Sequence, residues 1–472
     1  MAPQPTIPHE IIAQLEGGAC LLIRGGPGSG KTLLTLSLLL HMKNVGRRVT
    51  YISSRLPVAT ILNTMPLSTS LGEEALVDAS VHRETGQPSG VARMPLSDLS
   101  DLAMIYLKTT GEDSVVALDS WDALLQREKR KELEVYTAAI DLINRTNGAL
   151  IFTMEDVESP NPLQHLADVE VILTSQTCEG NTIRRMHVKK LRGAPIETPV
   201  YLFSLNGGVF KAFDPKVWSL KDYPINAKNP PQPIPEKEGF FSTGMTALDK
   251  TLGGGYKRGS YVGIEVDLEV PNEVSDLTFL PAAADFISKG RPVEALPPGA
   301  RDRESIWDTA KAIFAPSTWE TVRKEFLKGA VKVFSYGSRS EEDLSRGIGT
   351  SIQKDIEIWN ETRDELRRKF NQPVLQIVGY DTLWRMYGRN QIEPVVGSAL
   401  AQTRRNGDLV ISIVTSDIDV KNSILGISDY YFRLTLCDGL PVFWGIKPRT
   451  PLFTLCLFND KGTPKTNLVR VS

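Results

Sequence analysis

The sequence predicts an α/β protein with two similar domains, each built on a mostly parallel central sheet flanked by helices, with antiparallel strands at one edge. Short apolar runs alternate with helical segments in both halves, a pattern typical of parallel sheets. Each half ends in a group of closely spaced short strands, which indicates antiparallel additions. A length of 472 residues also exceeds one ordinary hydrophobic core.

A proline-rich segment separates the two halves. Pro230, Pro231, Pro233 and Pro235 hold it extended and disfavour both a helix and an inner strand. We therefore expect a first domain over 1–213, a linker over 214–238 and a second domain over 239–472. A long surface loop inside one domain is the alternative interpretation of the same segment.

The elements repeat in the same order in the two halves. In the first half we expect, in order, strand Ala19–Arg24, helix Thr32–Met42, strand Arg48–Ser53, helix Leu96–Thr109, strand 114–124, helix Lys129–Asn147 and strand 148–156. In the second half we expect strands 260–266, 373–384 and 407–417, and a polar helix Glu341–Phe370. Segment 294–326, with Trp307 and Trp319, has no counterpart in the first half and reads as a helical insertion.

Composition excludes several classes of protein. The net charge of -2 argues against a constitutive DNA-coating protein. The cysteines lack any C-x-x-C spacing; they are Cys20, Cys178, Cys437 and Cys456. Three of them have strand-like apolar surroundings, which favours buried free thiols and suits a reducing compartment. No run reaches about 18 uninterrupted apolar residues and the N-terminus has no apolar core, so we expect neither a membrane span nor a signal peptide. A cytoplasmic location is expected.

The strongest motif is a glycine-rich loop between an apolar strand and an apolar helix. Its residues satisfy G-x-x-x-x-G-K-[ST] and are Gly25, Gly26, Gly28, Ser29, Gly30, Lys31 and Thr32. Glycines let backbone N–H groups turn around phosphate oxygens, and the following helix N-terminus favours negative charge. Lys31 is expected on the β- and γ-phosphates and the Thr32 hydroxyl on Mg²⁺. The sequence thus predicts ATP and Mg²⁺ as cofactors.

Two further strand ends carry polar residues suited to this site. Asp119 follows the apolar run "VVAL" and is predicted to hold the water shell of the metal, although an Asp at that place also suits a helix start. Thr153 ends the run "ALIFT", where such folds place a polar sensor of the γ-phosphate. An exposed threonine at a strand end explains the same pattern.

The motifs resemble those of KaiC-type members of the RecA ATPase superfamily with two tandem domains. The second half opens with "FSTGMTALDKTLGGGYKRGSYVGI", which is similar to that family's S-T-G-x-x-x-L-D pattern followed by a Gly-Gly pair and R-G-S. The first half lacks this opening; "YISSRLPVATILNTMP" and "LDSWDAL" instead resemble the GvpD branch, archaeal proteins associated with gas-vesicle regulation. The superfamily resemblance covers nearly the whole chain and implies two tandem RecA-like domains.

The sequence departs from these relatives at the residues expected to activate water. KaiC-like ATPases usually carry acidic residues after the second core strand, whereas this chain has Ser53, Ser54 and Arg55, none of which serves as a general base. Arg55 is expected to stabilise negative charge near the phosphates. The nearby acids are Asp122, Glu155 and Asp156, and the sequence places none of them in line for attack.

The second half has no P-loop. After "SYVGI" there is no Gly-Lys-Thr/Ser, and the acidic residues at that place are expected to repel a triphosphate; they are Glu265, Asp267, Glu269 and Glu273. Asp381 occupies the strand end that corresponds to Asp119. We expect this degenerate domain not to bind ATP.

Basic residues near the end of each half have two interpretations. The resemblance implies that Lys190 and Arg192, in a K-x-R-G element, reach a neighbouring subunit's nucleotide as an arginine finger does, with Lys447 and Arg449 as counterparts in the second half. Solvated charges that protect an edge strand explain them equally. A third interpretation is contact with nucleic acid or an acidic protein through the whole basic cluster, Arg184, Arg185, Lys189, Lys190 and Arg192.

These features favour an ATP-binding regulatory protein, a switch with slow or absent hydrolysis that acts through a protein partner, with transcription regulation suggested by the GvpD resemblance. One alternative is an oligomeric KaiC-like ATPase or autokinase, with Lys31, Asp119 and Arg192 as its catalytic residues. The other is a DNA recombination accessory of the RecA type, for which a basic DNA-binding face is required.

Overall fold

The computed structural model describes residues 7–80, 91–94, 113–125, 148–155, 163–178, 180–215, 232–301, 329–336, 347–348, 351–397, 400–460 and 463–471. Within these ranges the chain forms two compact units, divided after Pro215. Each unit is an α/β layer structure with helices on both faces of a sheet, which confirms the predicted fold class. No described helix has the length and apolar character needed to cross a membrane.

The first unit contains the described elements that follow. Its helices are α1 His9–Glu16, α2 Lys31–Asn44, α3 Val58–Thr64, α4 Pro66–Thr69, α5 Trp121–Leu125 and α6 Leu163–Leu166, with a 3₁₀ turn at Glu73–Ala75. Its strands are β1 Cys20–Gly25, β2 Val49–Ser53, β3 Leu76–Asp78, β4 Ala92–Arg93, β5 Val115–Asp119, β6 Ala149–Met154, β7 Val169–Cys178, β8 Asn181–Leu191, β9 Val200–Ser204 and β10 Lys211–Phe213.

These strands form one sheet in the order β10-β9-β8-β7-β1-β6-β5-β2-β3-β4. The strands from β7 to β4 are parallel, and β8 to β10 add an antiparallel edge. Alternate residues of β1 enter the two apolar layers, with Leu21 and Ile23 on one face and Cys20 and Leu22 on the other. Helix α2 buries residues on most of its sides, as expected for a helix that is apolar all round.

The second unit repeats this plan. Its helices are α7 Thr246–Leu252, α8 Asn272–Asp276, α9 Leu280–Ser288, α10 Ile352–Phe370, α11 Tyr380–Tyr387, α12 Arg389–Ile392, α13 Leu400–Asn406 and α14 Lys421–Ile427, with 3₁₀ turns at Pro298–Ala300 and Glu393–Val395. Its strands are β11 Phe240–Phe241, β12 Tyr256–Lys257, β13 Tyr261–Val266, β14 Val293–Leu296, β15 Val331–Val333, β16 Ser335–Tyr336, β17 Gly347–Ile348, β18 Leu375–Gly379, β19 Leu409–Thr415, β20 Tyr430–Cys437, β21 Leu440–Lys447, β22 Phe453–Asp460 and β23 Thr463–Arg470.

The main sheet of the second unit has the order β23-β22-β21-β20-β13-β19-β18-β14-β15. This matches the first sheet from β10 to β3, with β13 in the place of β1, β19 of β6, β18 of β5 and β14 of β2; among the described strands β4 has no counterpart. Strand β14 was missed by the sequence argument, which assigned its residues to a helical insertion beginning at 294. That start is wrong, because Glu294 to Leu296 pair in parallel with β18, and residues 302–326 of the expected insertion lie outside the described residues.

The expected polar helix Glu341–Phe370 begins later than predicted. Helix α10 starts at Ile352, and Gly347–Ile348 pair instead with Ser335–Tyr336. Ser351 caps the helix by accepting a hydrogen bond from the Lys354 backbone N–H at 3.4 Å, so the helix start coincides with a good cap rather than with the start of the polar run. The expected helices Leu96–Thr109 and Lys129–Asn147 lie outside the described residues.

Residues 232–238, at the end of the proline-rich segment, are bound to the second unit. The Glu236 carboxylate receives two hydrogen bonds from Arg291, at 2.6 and 2.9 Å, and one from Lys289 at 3.0 Å. Lys289 also donates to the Ile234 carbonyl at 2.7 Å. Burial alone would raise the pKa of Glu236, but these cationic donors outweigh it and hold that pKa at about 2.

Candidate nucleotide site

The glycine-rich loop joins β1 to α2 at the carboxyl end of the parallel strands. Gly28 and Gly30 have φ values of 72° and 103°, a backbone region that favours glycine. At Gly25 a side chain would meet the Ser29 hydroxyl at 2.5 Å and the Leu173 carbonyl oxygen at 2.7 Å. The loop therefore needs glycine at these places for its conformation and its packing, and this leaves its backbone free to surround an anion.

Lys31 closes this loop from the first turn of α2. Its Nζ donates to the Gly25 carbonyl at 2.6 Å and to the Gly26 carbonyl at 3.0 Å. Burial lowers the pKa of Lys31, and the charges of Glu155, Asp119 and Asp122 partly oppose this. The ammonium group is thus held over the loop by carbonyl oxygens, weak partners that phosphate oxygens can replace.

Asp119 is the centre of a network of hydroxyl groups at the end of β5. Its Oδ2 accepts from Thr32 Oγ1 at 2.7 Å and from Tyr51 OH at 2.6 Å. Its Oδ1 accepts from Thr153 Oγ1 at 2.6 Å. The predicted residues Thr32, Asp119 and Thr153 therefore lie together, because β1, β6 and β5 are adjacent and end at the same edge of the sheet.

Tyr51 belongs to this network and was missed by the sequence argument. It lies on β2, next to β5, and its side chain is 1% exposed. Burial, followed by the neighbouring Asp119 carboxylate, raises the pKa of Tyr51 well above its ordinary value, so it is a hydrogen-bond donor at neutral pH. Its only signal in the sequence is its position two residues before the end of β2, on the strand that pairs with the one ending in Asp119.

An ion pair lies beside the loop. The Arg55 guanidinium contacts the Glu155 carboxylate, and the backbone N–H of Glu155 donates to Asp122 Oδ2 at 2.8 Å. Burial raises the pKa of Asp122. Ser53 and Ser54, the other residues after β2, donate to the carbonyls of Leu56 and Ser120. Arg55 is thus near the site, as expected, but its described partner is an acid; Asp156 lies outside the described residues.

Lys190 and Arg192 lie at the other end of the same sheet. Lys190 pairs with Glu170 of β7, which is level with Leu22 near the start of β1. The loop follows the end of β1, about 10 Å further along at roughly 3.3 Å per residue. Lys190 and Arg192 donate to carbonyls of α6, at 2.8 Å to Gln164 and 3.1 Å to His165 respectively. The structure therefore does not bring these cations to the loop of their own unit.

The corresponding place in the second unit is built differently. Asp381 follows β18 as Asp119 ends β5, and it accepts from the Gly299 backbone N–H at 2.5 Å. Asp276 of α8, 0% exposed, binds Arg301 through two hydrogen bonds at 2.6 and 2.8 Å. An internal ion pair thus stands beside Asp381, and residues 267–271, which follow β13, include neither a glycine nor a lysine.

Glu265 does not repel ligands there as the sequence argument expected. It is buried in β13 and accepts from Arg433 at 3.0 Å and from Tyr431 at 3.1 Å, so its charge is compensated inside the sheet. Glu269 and Glu273 are exposed, and Asp267 is half-buried. Lys447 pairs with Tyr431 of β20, which pairs in turn with Gly263 near the start of β13. Lys447 and Arg449 therefore lie at the same end of their sheet as Lys190 and Arg192 do in the first unit.

The residues of the first unit fit a nucleotide with its metal. The Ser29 hydroxyl is buried in the loop and makes no hydrogen bond with the described residues, so it can donate one to a phosphate oxygen. Lys31, the loop N–H groups and the N-terminus of α2 would hold the phosphates, and Thr32 and Asp119 would hold Mg²⁺ through a hydroxyl and a water. The second unit lacks the loop and the lysine and does not fit this group.

Comparison with known proteins finds a P-loop domain match within the first unit. Residues 11–189 match the family model described as "GvpD gas vesicle protein, P-loop domain". The chain is 23% identical to Protein GvpD2 of Halobacterium salinarum over an alignment of 472 positions that covers 97% of this chain and 94% of that protein. It is 22% identical to Protein GvpD1 of the same organism, with the same coverage of both chains. The chain is therefore similar to GvpD proteins over nearly its whole length, and its first unit matches their P-loop domain.

Proposed function

We propose that the chain is an ATP-binding regulatory protein, a nucleotide-dependent switch with slow or absent hydrolysis that acts through a protein partner. Its similarity to GvpD proteins supports a role in gas-vesicle regulation. Support for nucleotide binding comes from the loop geometry, Lys31 and the Asp119 network. Mg²⁺ supplies neutralisation of the phosphate charge when it is bound.

The main support for a switch with slow hydrolysis is the ion pair between Arg55 and Glu155. Fast hydrolysis requires a carboxylate that is free to take a proton from the attacking water. Among the described residues near the loop, Glu155 is engaged by Arg55, Asp122 accepts a backbone hydrogen bond, and Asp119 is occupied by hydroxyl groups. The site is thus arranged to bind a nucleotide more readily than to hydrolyse it.

The hydrogen bonds of Asp119 could couple nucleotide binding to a conformational change. Asp119 connects Thr32 of α2 with Tyr51 of β2 and Thr153 of β6. If Thr32 held a bound metal, it would no longer donate this hydrogen bond to Asp119. The ends of three elements would then respond to the presence of nucleotide, which is the differential contact that a switch requires.

The first test measures ATP binding and turnover on the same preparation, with Lys31→Ala as the comparison. We expect wild type to bind ATP·Mg²⁺ with Lys31-dependent affinity and to turn over less than roughly once per minute, against a typical enzyme median of about 10 per second. Turnover at ordinary enzyme rates would contradict the switch.

A KaiC-like ATPase is the second candidate, and Glu155 is the observation that favours it. A carboxylate at the end of β6 lies close enough to Lys31 to influence its pKa, so a rearranged Arg55 would release a base near the phosphates. The switch proposal expects Glu155→Gln to leave the slow turnover unchanged. A fall in turnover of tenfold or more in that variant, with ATP affinity retained, would identify Glu155 as a catalytic base.

A further inference from the structure

A cavity of about 100 Å³ lies in the second unit, between the sheet and helix α10. Its floor is a row of side chains from paired positions on three adjacent strands, Tyr261, Val410 and Gln376. Its roof is the inner face of α10, which presents Ile352, Ile356 and Trp359 at helical spacing. Regular elements thus form the floor and the roof of the cavity, and Val395 and Gly397 border it from the loop side.

The cavity lies on the opposite face of the sheet from α8 and α9. Tyr261 and Val410 belong to the apolar layer under α10, whereas the neighbouring residues Val262 and Ile411 belong to the layer under α8 and α9. Helices α8 and α9 follow β13 as α2 follows β1. The cavity is therefore not the remnant of a nucleotide site.

Gln376 presents a donor to this cavity that no described residue satisfies. The side chain is 1% exposed, and its Oε1 accepts from Trp359 Nε1 at 3.1 Å. Indole nitrogen only donates, so this bond fixes the orientation of the amide and leaves Nε2 as the second polar atom. Nε2 is buried and makes no hydrogen bond with any described residue. A buried donor without a partner costs free energy, which an acceptor placed in the cavity recovers.

The rest of the lining favours a flat and mostly apolar molecule. Tyr261, Tyr380, Tyr387 and Trp359 all border the cavity. The Tyr261 hydroxyl donates to that of Tyr380 at 3.1 Å, and Tyr387 donates to Asp355, so these polar groups are already engaged. Aromatic side chains arranged in this way favour a planar ring as occupant.

The volume limits the size of that ring. A cavity of about 150 Å³ in another protein accommodates benzene. At about 100 Å³ this cavity suits a five-membered ring. The mostly apolar lining favours a neutral ligand over a charged one.

We propose that this cavity binds a neutral five-membered heteroaromatic ring that accepts a hydrogen bond from Gln376 Nε2. The site is separate from the nucleotide loop and does not depend on ATP binding. It gives the degenerate second unit a ligand of its own, held between the sheet and α10.

The test compares pyrazole with pyrrole on the full chain by ligand-observed NMR titration. The two rings are nearly the same size, but only pyrazole carries a ring nitrogen that accepts a hydrogen bond. We expect pyrazole to bind about tenfold more tightly. Equal binding of the two rings, or no binding of either, would overturn the proposal; in the latter case the cavity holds water only.

Two variants locate the interaction. Gln376→Leu removes the donor at similar side-chain volume, and we expect it to abolish the preference for pyrazole. The ratio of pyrazole affinity to pyrrole affinity is measured within one variant, so a change in overall stability does not affect it. Val395→Phe fills the cavity from the loop side, where Val395 is half-buried, and we expect it to abolish binding of both rings. A tenfold preference that persists in either variant would place binding elsewhere and refute the assignment.

Discussion

Replacing Asp119 by asparagine separates its structural role from its role toward the metal. Three hydroxyl groups donate to the carboxylate, at 2.7, 2.6 and 2.6 Å. Asparagine keeps an oxygen for Thr32 and Tyr51, and its NH₂ group can donate to Thr153. A hydrogen bond to a charged group contributes roughly 1 kcal/mol more than a neutral one, so three such bonds limit the loss in the free energy of unfolding to about 3 kcal/mol. The neutral amide is also less costly to bury than the carboxylate, which reduces the expected loss to about 1–2 kcal/mol.

Asp119→Ala gives the matched comparison. It leaves the hydroxyls of Tyr51 and Thr153, which are 1% and 0% exposed, without their acceptor, at about 1–3 kcal/mol each. Urea unfolding should therefore rank wild type above Asp119→Asn and Asp119→Ala last. An equal loss in the two variants would mean that the hydroxyl network does not contribute as the geometry indicates.

The effect of Asp119→Asn on ATP affinity should reverse with the metal. With Mg²⁺ present, loss of the carboxylate weakens ATP binding by tenfold or more, because an anion near a divalent cation is removed. With EDTA, the same change removes repulsion between Asp119 and the triphosphate, so affinity should stay equal or rise. Calorimetric titration under both conditions measures this. Weaker binding in EDTA as well as in Mg²⁺ would refute the assignment of Asp119 to the metal.

Further predictions concern the loop and two ion pairs. Gly25→Ala should lower the free energy of unfolding by more than about 1 kcal/mol, because the added carbon meets atoms at 2.5 and 2.7 Å, whereas Gly26→Ala, with nothing within 4 Å, should change it by less than about 0.5 kcal/mol. Glu170→Gln should lower the free energy of unfolding in urea by about 3 kcal/mol, because it removes the buried charge 3.1 Å from Arg24. The double variant Arg24→Met, Glu170→Leu should be at least about 1 kcal/mol more stable than Glu170→Gln. A double variant no more stable than the single one would contradict this. The pKa of Glu236 is about 2, below its ordinary 4.5, so its stabilisation is complete above about pH 4.5 and is lost as the pH falls toward 2. Glu236→Gln should therefore destabilise the chain by about 2 kcal/mol at pH 7 and by little at pH 2.5, and a loss that does not depend on pH would count against the ion pair.

Local patterns were sufficient for much of the fold. The loop, its strand and its helix are contiguous in the chain, so a single motif predicts all three. The repeat was also recognisable, because "SYVGI", "VLQIVG" and "LVISIV" are apolar runs of the length that buried parallel strands require.

Strand β14 was missed for a physical reason. Its four residues include Glu294, which is 0% exposed on a central strand and whose carboxyl oxygens make no hydrogen bond with the described residues. Burial raises the pKa of Glu294 well above its ordinary value, which favours the neutral form. A sequence pattern counts this residue as charged and therefore breaks the strand. The burial that raises its pKa exists only after folding.

The contacts of the candidate site were only partly predictable. Thr32, Asp119 and Thr153 follow from a rule, since adjacent parallel strands end at one edge. The pairing of Arg55 with Glu155 and the contribution of Tyr51 depend on which strands are neighbours and on side-chain reach. Residues far apart in the chain meet there, and spacing along the sequence does not encode such a meeting.

The ion pair between Arg301 and Asp276 would make a nucleotide site in the second unit difficult to build. Introducing a glycine-rich loop and a lysine after β13 would leave a buried guanidinium and carboxylate beside Asp381, and removing either one alone would leave the other's charge unpaired in the interior. Each single change would therefore lower stability before any nucleotide could bind. The contact that stabilises this part of the second unit thus also keeps the unit from reaching a nucleotide site one substitution at a time.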